Sequence, residues 1–140
     1  MKQYIALALR REVTQRANRC CEYCRMHQDN QFFSLEIDHI ISEKHGGETI
    51  SDNLCLACPD CNAYKGTDIA SVDWQGGKNL SWLFNPRQQQ WGGHFRYDPT
   101  SGYIHPLTPE GRVTVFILNL NHVERIEERK RLSDDDLYPC

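Results

Sequence analysis

Two cysteine pairs are the residues of this chain best suited to chemistry: Cys21-Glu22-Tyr23-Cys24 and Cys58-Pro59-Asp60-Cys61. Zinc prefers a tetrahedral set of thiolates, and a two-residue gap lets both sulfurs of a pair face one ion. The two pairs together complete a closed four-sulfur site, which holds structure because it leaves no coordination position for a substrate. The gap between the pairs is longer than in a compact zinc ribbon, so a structural unit is expected there. A thioredoxin-like redox motif is the rival reading, but it needs a βαβ setting that this sequence lacks. Cys20 can stand in for Cys21 as a ligand, although the spacing favours Cys21. Cys55 reads as a core residue, and Cys140 has no assigned role. With seven cysteines in a chain read as intracellular, metal binding is the default and disulfides are not expected.

Between the pairs lies Glu36-Ile37-Asp38-His39-Ile40-Ile41, followed by Gly46-Gly47, Asn53-Leu54 and Cys61-Asn62-Ala63-Tyr64-Lys65-Gly66. Cleaving a phosphodiester requires a deprotonated water, neutralised phosphate charge and a stabilised leaving oxygen. Histidine as a residue type titrates near neutral pH and can take the proton. A hard divalent cation can neutralise charge, and Mg²⁺ uses only one or two protein oxygens while keeping several waters. Asp38 and Asn62 offer such oxygens. Asn62 adjoins Cys61 on a predicted helix, about 100° around its axis, so one face can meet zinc and the next the catalytic ion. Lys65 lies nearly on the Asn62 face and is a candidate phosphate contact. His45, beside Gly46, is a second candidate substrate contact, weighed against an ordinary solvated loop histidine. Adjacent strand residues point to opposite faces, so bringing Asp38 and His39 to one phosphate calls for a bulge or a strand end.

The order Cys-x-x-Cys, Asp-His-Ile-Ile, Gly-Gly, Asn-Leu, Cys-x-x-Cys-Asn, Lys-Gly resembles the HNH endonuclease family, in its subtype with zinc-binding cysteines. The likeness spans about residues 10–70. The stretch Leu83-Phe84-Asn85-Pro86-Arg87 with Trp91 and His94-Phe95 is similar to a C-terminal extension of some HNH proteins. The resemblance implies that His39 is the general base, that Asp38 and Asn62 bind the catalytic divalent ion, and that Asn53 braces the loop orienting His39. Asn62 stands where the family name places a histidine. An amide oxygen there favours Mg²⁺, with Mn²⁺ or another divalent ion as alternatives. The implied partner is DNA and the implied reaction is hydrolysis, with a monomer nicking one strand and a dimer able to cut both. A zinc-stabilised nucleic-acid-binding module without cleavage activity is the alternative, and a zinc-stapled protein-interaction domain is a third.

These residues need elements to carry them. Ile5, Leu9, Val13 and Ala17 recur at helical spacing, predicting a helix over 3–18. Residues 32–41 and 53–57 read as strands around a loop at 42–52, and Pro59 opens a helix running to about 70. Residues 71–94 show no clear period. Asp98-Pro99-Thr100-Ser101-Gly102 joins two short strands, 95–97 and 103–105, and helices are expected over 109–118 and 121–132. The expected fold is α+β: a ββα-metal unit stapled by a four-cysteine zinc site, with an N-terminal helix and a C-terminal hairpin plus helices. Residues 1–70 form the nuclease core and 71–140 an extension packed on it within one domain. Trp74, Trp82 and Trp91 are assigned core or covering roles ahead of base stacking.

Composition sets bounds on this reading. The 140 residues and 39% apolar content allow one modest core, to which a structural metal adds stability. Net charge is −3, but Lys2, Arg10, Arg11, Arg16, Arg19 and Arg25 make the first stretch basic, and a local basic patch can hold phosphates. The apolar run from Ile5 to Leu9 stops at Arg10-Arg11, too short for a signal peptide or a membrane span.

Overall fold

The computed structural model describes residues 4–140. Gln3, the first residue of the predicted N-terminal helix, and Lys2 of the basic stretch lie outside them. Helix α1, Leu7–Arg16, carries Val13 on its buried face. With Ile5 and Ala17, that side chain packs on Leu54 and Leu56.

Strand β1, Glu36–His39, pairs antiparallel with β2, Leu54–Ala57. The sequence predicts a longer first strand. Its length is limited by its partner: β2 ends where Cys58 becomes the cap of helix α2, Pro59–Lys65, and a strand without a partner leaves its backbone groups unpaired. Helix α2 stops five residues short of the expected end because Gly66 turns the chain at φ 52°. Alternation along the β1–β2 hairpin sets two faces. Ile37, Leu54 and Leu56 meet α1, while Asp38 sits opposite Cys55 on the side that meets Tyr23 and Lys65.

The stretch without a clear sequence period contains a hairpin, β3 (Ala70–Asp73) with β4 (Asn79–Trp82). Its turn is fixed by the Asp73 carbonyl, which accepts from the backbone N–H groups of Gly76 and Lys78. The side chain of Asp73 forms a bidentate pair with Arg112 at 2.8 and 3.0 Å. The predicted second hairpin is β5, Phe95–Asp98, with β6, Tyr103–Pro106. Asp98 accepts from the Thr100 N–H and the Ser101 hydroxyl. Gly102, at φ 77°, leaves no room for a Cβ against the Ile126 carbonyl. Helix α3, Pro109–Ile117, starts at a Thr108 cap that accepts from the Gly111 N–H. Helix α4 is Val123–Asp134.

One buried cluster joins Cys21, Tyr23, Cys24, Cys58 and Cys61 to Phe84, Phe95, Ile104, Leu118, Leu120 and Tyr138. Residues of both halves therefore share a core. The expectation that disulfides are absent is overturned at one place. Cys20 bonds to Cys140, with Cα atoms 6.0 Å apart, so Cys20 is not an alternative zinc ligand and Cys140 is not idle. The chain end is further held by the Cys140 N–H on the Arg25 carbonyl and by the Tyr138 hydroxyl on the Cys24 carbonyl.

Candidate functional site

The ligand atoms of Cys21, Cys24, Cys58 and Cys61 all lie within 4.8 Å of one another, and all four side chains are buried. Local backbone geometry builds each half. The Cys24 N–H points at the Cys21 sulfur and the Cys61 N–H at the Cys58 sulfur, each at 3.4 Å. Arg25, at φ 66°, turns the chain away after the first pair. Tetrahedral zinc with bonds of about 2.3 Å separates its sulfurs by roughly 3.8 Å, and Cys24 and Cys58 sit 3.6 Å apart. The donor set therefore fits zinc. Hydrogen bonding from the other thiols holds Cys24 well below the usual thiol range, while burial pushes Cys61 well above it. Four buried sulfurs cannot all ionise together without a cation among them.

A residue that sequence reasoning missed completes this cluster. Arg125 of α4 places Nη2 3.0 Å from the Cys61 sulfur and 3.9 Å from Cys58. Burial opposes its charge, yet the sulfurs of Cys61, Cys24 and Cys58 raise its pKa above the ordinary arginine value. No local signal marks Arg125, because its role depends on how α4 docks.

Beside the sulfurs, β1, the following loop and α2 enclose a cleft of about 440 Å³, lined among others by Asp38, His39, Glu43, Lys44, Asn62 and Thr67. The register shows no bulge, with Asp38 opposite Cys55 and His39 opposite Leu54. His39 is the last residue of β1. The strand end, rather than a bulge, is what lets both residues line one cleft.

His39 is half-buried. Its Nε2 lies 2.9 Å from the Thr49 hydroxyl and 3.5 Å from a Glu43 carboxylate oxygen. Asn53 sits behind this loop. Its amide nitrogen donates to the Ile41 and Glu48 carbonyls, and its oxygen accepts from the Ile41 N–H at 2.9 Å. Gly47 passes so close that a Cβ there would run into the Ile41 carbonyl and the Asn53 amide.

Asp38 is buried. Its Oδ2 accepts from the Tyr23 hydroxyl at 3.0 Å and faces Lys65 Nζ at 3.1 Å. Oδ1 carries only a 3.4 Å contact to the same ammonium, so it retains acceptor capacity toward a cation. Burial raises the carboxyl above the ordinary range, and Lys65 acts against that shift. The Asn62 amide nitrogen donates to the Glu36 carboxylate, which leaves its oxygen free. The hard oxygens of Asp38 and Asn62 fit an oxygen-seeking divalent ion. Glu36 was legible in principle, because it lies two residues before Asp38 and shares its strand face.

Two candidates sit differently from expectation. Lys65, expected to face a phosphate, points inward with 2% exposure. Its ammonium holds Asp38 and donates to the His39 carbonyl at 2.9 Å. His45 is exposed on a single turn, Glu43–His45, and is not among the residues lining the cleft. Trp74 and Trp82, expected to cover the core, are 60% and 63% exposed. Only Trp91 reaches inward, donating its indole N–H to the Tyr23 carbonyl.

Residues 21–68 match the family model described as HNH endonuclease. The match runs from the first zinc-pair cysteine to just beyond Gly66, less than half of the chain, and contains Asp38, His39, Asn53 and Asn62. A search of the curated proteins returned no match. The match points to a nuclease or nucleic-acid-binding role for this unit, and its four-cysteine cluster is compatible with zinc. Among the described residues no helix is long and apolar enough to cross a membrane.

Proposed function

We propose that the chain is a divalent-metal-dependent endonuclease that hydrolyses DNA phosphodiester bonds, nicking one strand per active site. The observation that carries this reading is the gathering of Asp38, His39 and Asn62 on one cleft, inside the segment that matches the HNH endonuclease family. On this reading β1, β2 and α2 form a ββα-metal unit.

His39 Nε2 is committed to Thr49 and Glu43, so Nδ1 is the nitrogen left to accept a proton from water. As that proton arrives, the Glu43 carboxylate stabilises the imidazolium. The water oxygen attacks phosphorus, and the bond to the leaving sugar oxygen breaks. Asp38 and Asn62 would hold the divalent ion, whose charge offsets that developing on the phosphate and the leaving oxygen. Asn53 acts through the loop, keeping His39 in place. Lys65 keeps Asp38 oriented and balances its charge. Zinc held by Cys21, Cys24, Cys58 and Cys61 would be structural, since four thiolates leave it no open position.

The burial of Asp38 against Lys65 and Tyr23 favours one competitor, a zinc-stabilised module that binds nucleic acid without cutting it. A plasmid-nicking assay in Mg²⁺ separates the two. Wild type is expected to nick, and His39→Ala to do so about 10²- to 10⁴-fold more slowly, the usual contribution of a general base. Equal rates would remove His39 from this role, and retention of the plasmid without nicking by either protein would leave the binding module.

A further inference from the structure

A second cavity adjoins the catalytic cleft. It has a volume of about 310 Å³ and is lined by Ile40, Ile41 and Lys65 of the matched unit, by Ile69 just after it, and by Trp82, Gln88 and Gln89 of the C-terminal half. Along the same two segments, Ser42 and Gly66 turn to the catalytic cleft. The two spaces therefore border the same two segments. Small-molecule sites begin at about 300 Å³, so the cavity suits one flat heterocycle.

Its chemistry is selective. Ile41 and Ile69 give apolar walls. Trp82 presents an indole that is 63% exposed, at the end of β4, where the fold makes no use of its hydrophobic area. Among the described residues neither the Trp82 indole N–H nor the Gln88 amide has a hydrogen-bond partner. Gln89 spends its oxygen on the Asn85 N–H and keeps its amide donors. Two charged side chains line it: Lys65, already balanced by Asp38, and Glu110, whose carboxylate lies 3.9 Å from His94 Nδ1. Aromatic face, apolar wall and unspent amides form a set that stacks on a nucleobase and reads its edge. Gln88 also lines the neighbouring surface that holds Arg16, Arg87 and Asp52. There the buried Nε of Arg87 has no partner. Glu22 engages the other end of that guanidinium, and Arg16 donates to the Ser51 hydroxyl. Burial and the nearby Arg16 both push Arg87 below the usual arginine range.

We propose that this cavity is a nucleobase subsite: a base unstacked from the strand being cut enters between Trp82 and Ile41, its edge read by Gln88 and Gln89, while its phosphate passes Arg16 and Arg87. The subsite rests on the nuclease reading for its purpose, but its binding does not require cleavage.

The test uses the 140-residue, zinc-loaded protein carrying His39→Ala and no added Mg²⁺. The probe is a 12-nucleotide mixed-sequence DNA single strand at low salt, together with versions in which an abasic residue is moved along it. The strand is expected to shift the Trp82 indole and Gln88 amide resonances. Trp82→Ala should weaken binding about 5- to 160-fold, the range for loss of one aromatic–base stack, and Trp82→Phe should restore part of it. One abasic position should weaken binding to the Trp82 protein and have no further effect on Trp82→Ala. The proposal is overturned if the strand does not bind, or if binding is indifferent to both Trp82→Ala and the abasic scan. Nicking by wild type together with Trp82-independent binding removes the subsite alone. Trp82-dependent binding without nicking removes the nuclease reading alone.

Discussion

Lys65 illustrates how one side chain can be read two ways. By spacing it belongs beside Asn62, facing a phosphate. In the fold its ammonium is enclosed, with Asp38 at 3.1 Å and the His39 carbonyl at 2.9 Å. A buried ion pair adds little net stability, but removing one partner strands the other charge, at about 3–5 kcal/mol. Lys65→Met should therefore destabilise the protein by about that amount in urea unfolding. The double variant Lys65→Met/Asp38→Asn should recover much of the loss, because no buried charge is left unpaired. If the double variant were as unstable as the single one, packing of the lysine stem rather than charge would hold this part of α2. Asn53, by contrast, makes three amide bonds to Ile41 and Glu48 that link the two ends of the 42–52 loop.

Between elements, the clearest ionic link is Asp73 on β3 with Arg112 on α3. The Arg112 guanidinium holds the Asp73 carboxyl below the usual aspartate range, aided by the Gly76 and Gln75 backbone. A depressed folded pKa means that the link contributes fully above the unfolded value of about 3.9 and is lost as pH falls through the lower folded value. The melting-temperature gap between wild type and Asp73→Asn should thus be constant from pH 7 to about pH 5 and close as pH falls toward 2. A gap that persists at pH 2 would assign the stabilisation to hydrogen bonds that asparagine also loses. This hairpin is also where the sequence was least legible. Ala70–Asp73 and Asn79–Trp82 are four residues each, and Leu80 and Trp82 face solvent, so no apolar alternation advertises them. The 95–106 hairpin and the 109–118 helix could be read because Asp98, Gly102, Thr108 and Pro109 mark their turns and caps by chemistry that is local. The gathering of the two cysteine pairs and the strand carrying Asp38 and His39 were legible for the same reason, since their signals lie in local spacing. Arg125, Glu43 and the inward turn of Lys65 depend on contacts made only after the elements pack.

At the scale of the whole molecule, the sulfur cluster is where the C-terminal segment meets the matched unit. Cys20 is bonded to Cys140 beside it, Tyr138 caps the Cys24 carbonyl, and Arg125 reaches into it from α4. Zinc bound by four thiolates carries a net charge of −2, and a buried guanidinium offsets half of that. The same side chain donates from Nη1 to the Leu118 carbonyl at 2.8 Å and to that of Asn119, closing the end of α3. One arginine thus ties α3, α4 and the sulfur cluster, so docking of the C-terminal half and retention of any zinc held there should be coupled. Arg125→Met keeps the packing bulk and removes charge and donors. It is expected to lower stability by about 1.5–3 kcal/mol, the usual worth of a charged buried hydrogen bond, and to release zinc faster to a chromophoric chelator. A lower melting temperature with unchanged zinc release would confine Arg125 to capping α3. Faster release with an unchanged melting temperature would confine it to the sulfurs. Both effects together are what a single link between the two halves requires.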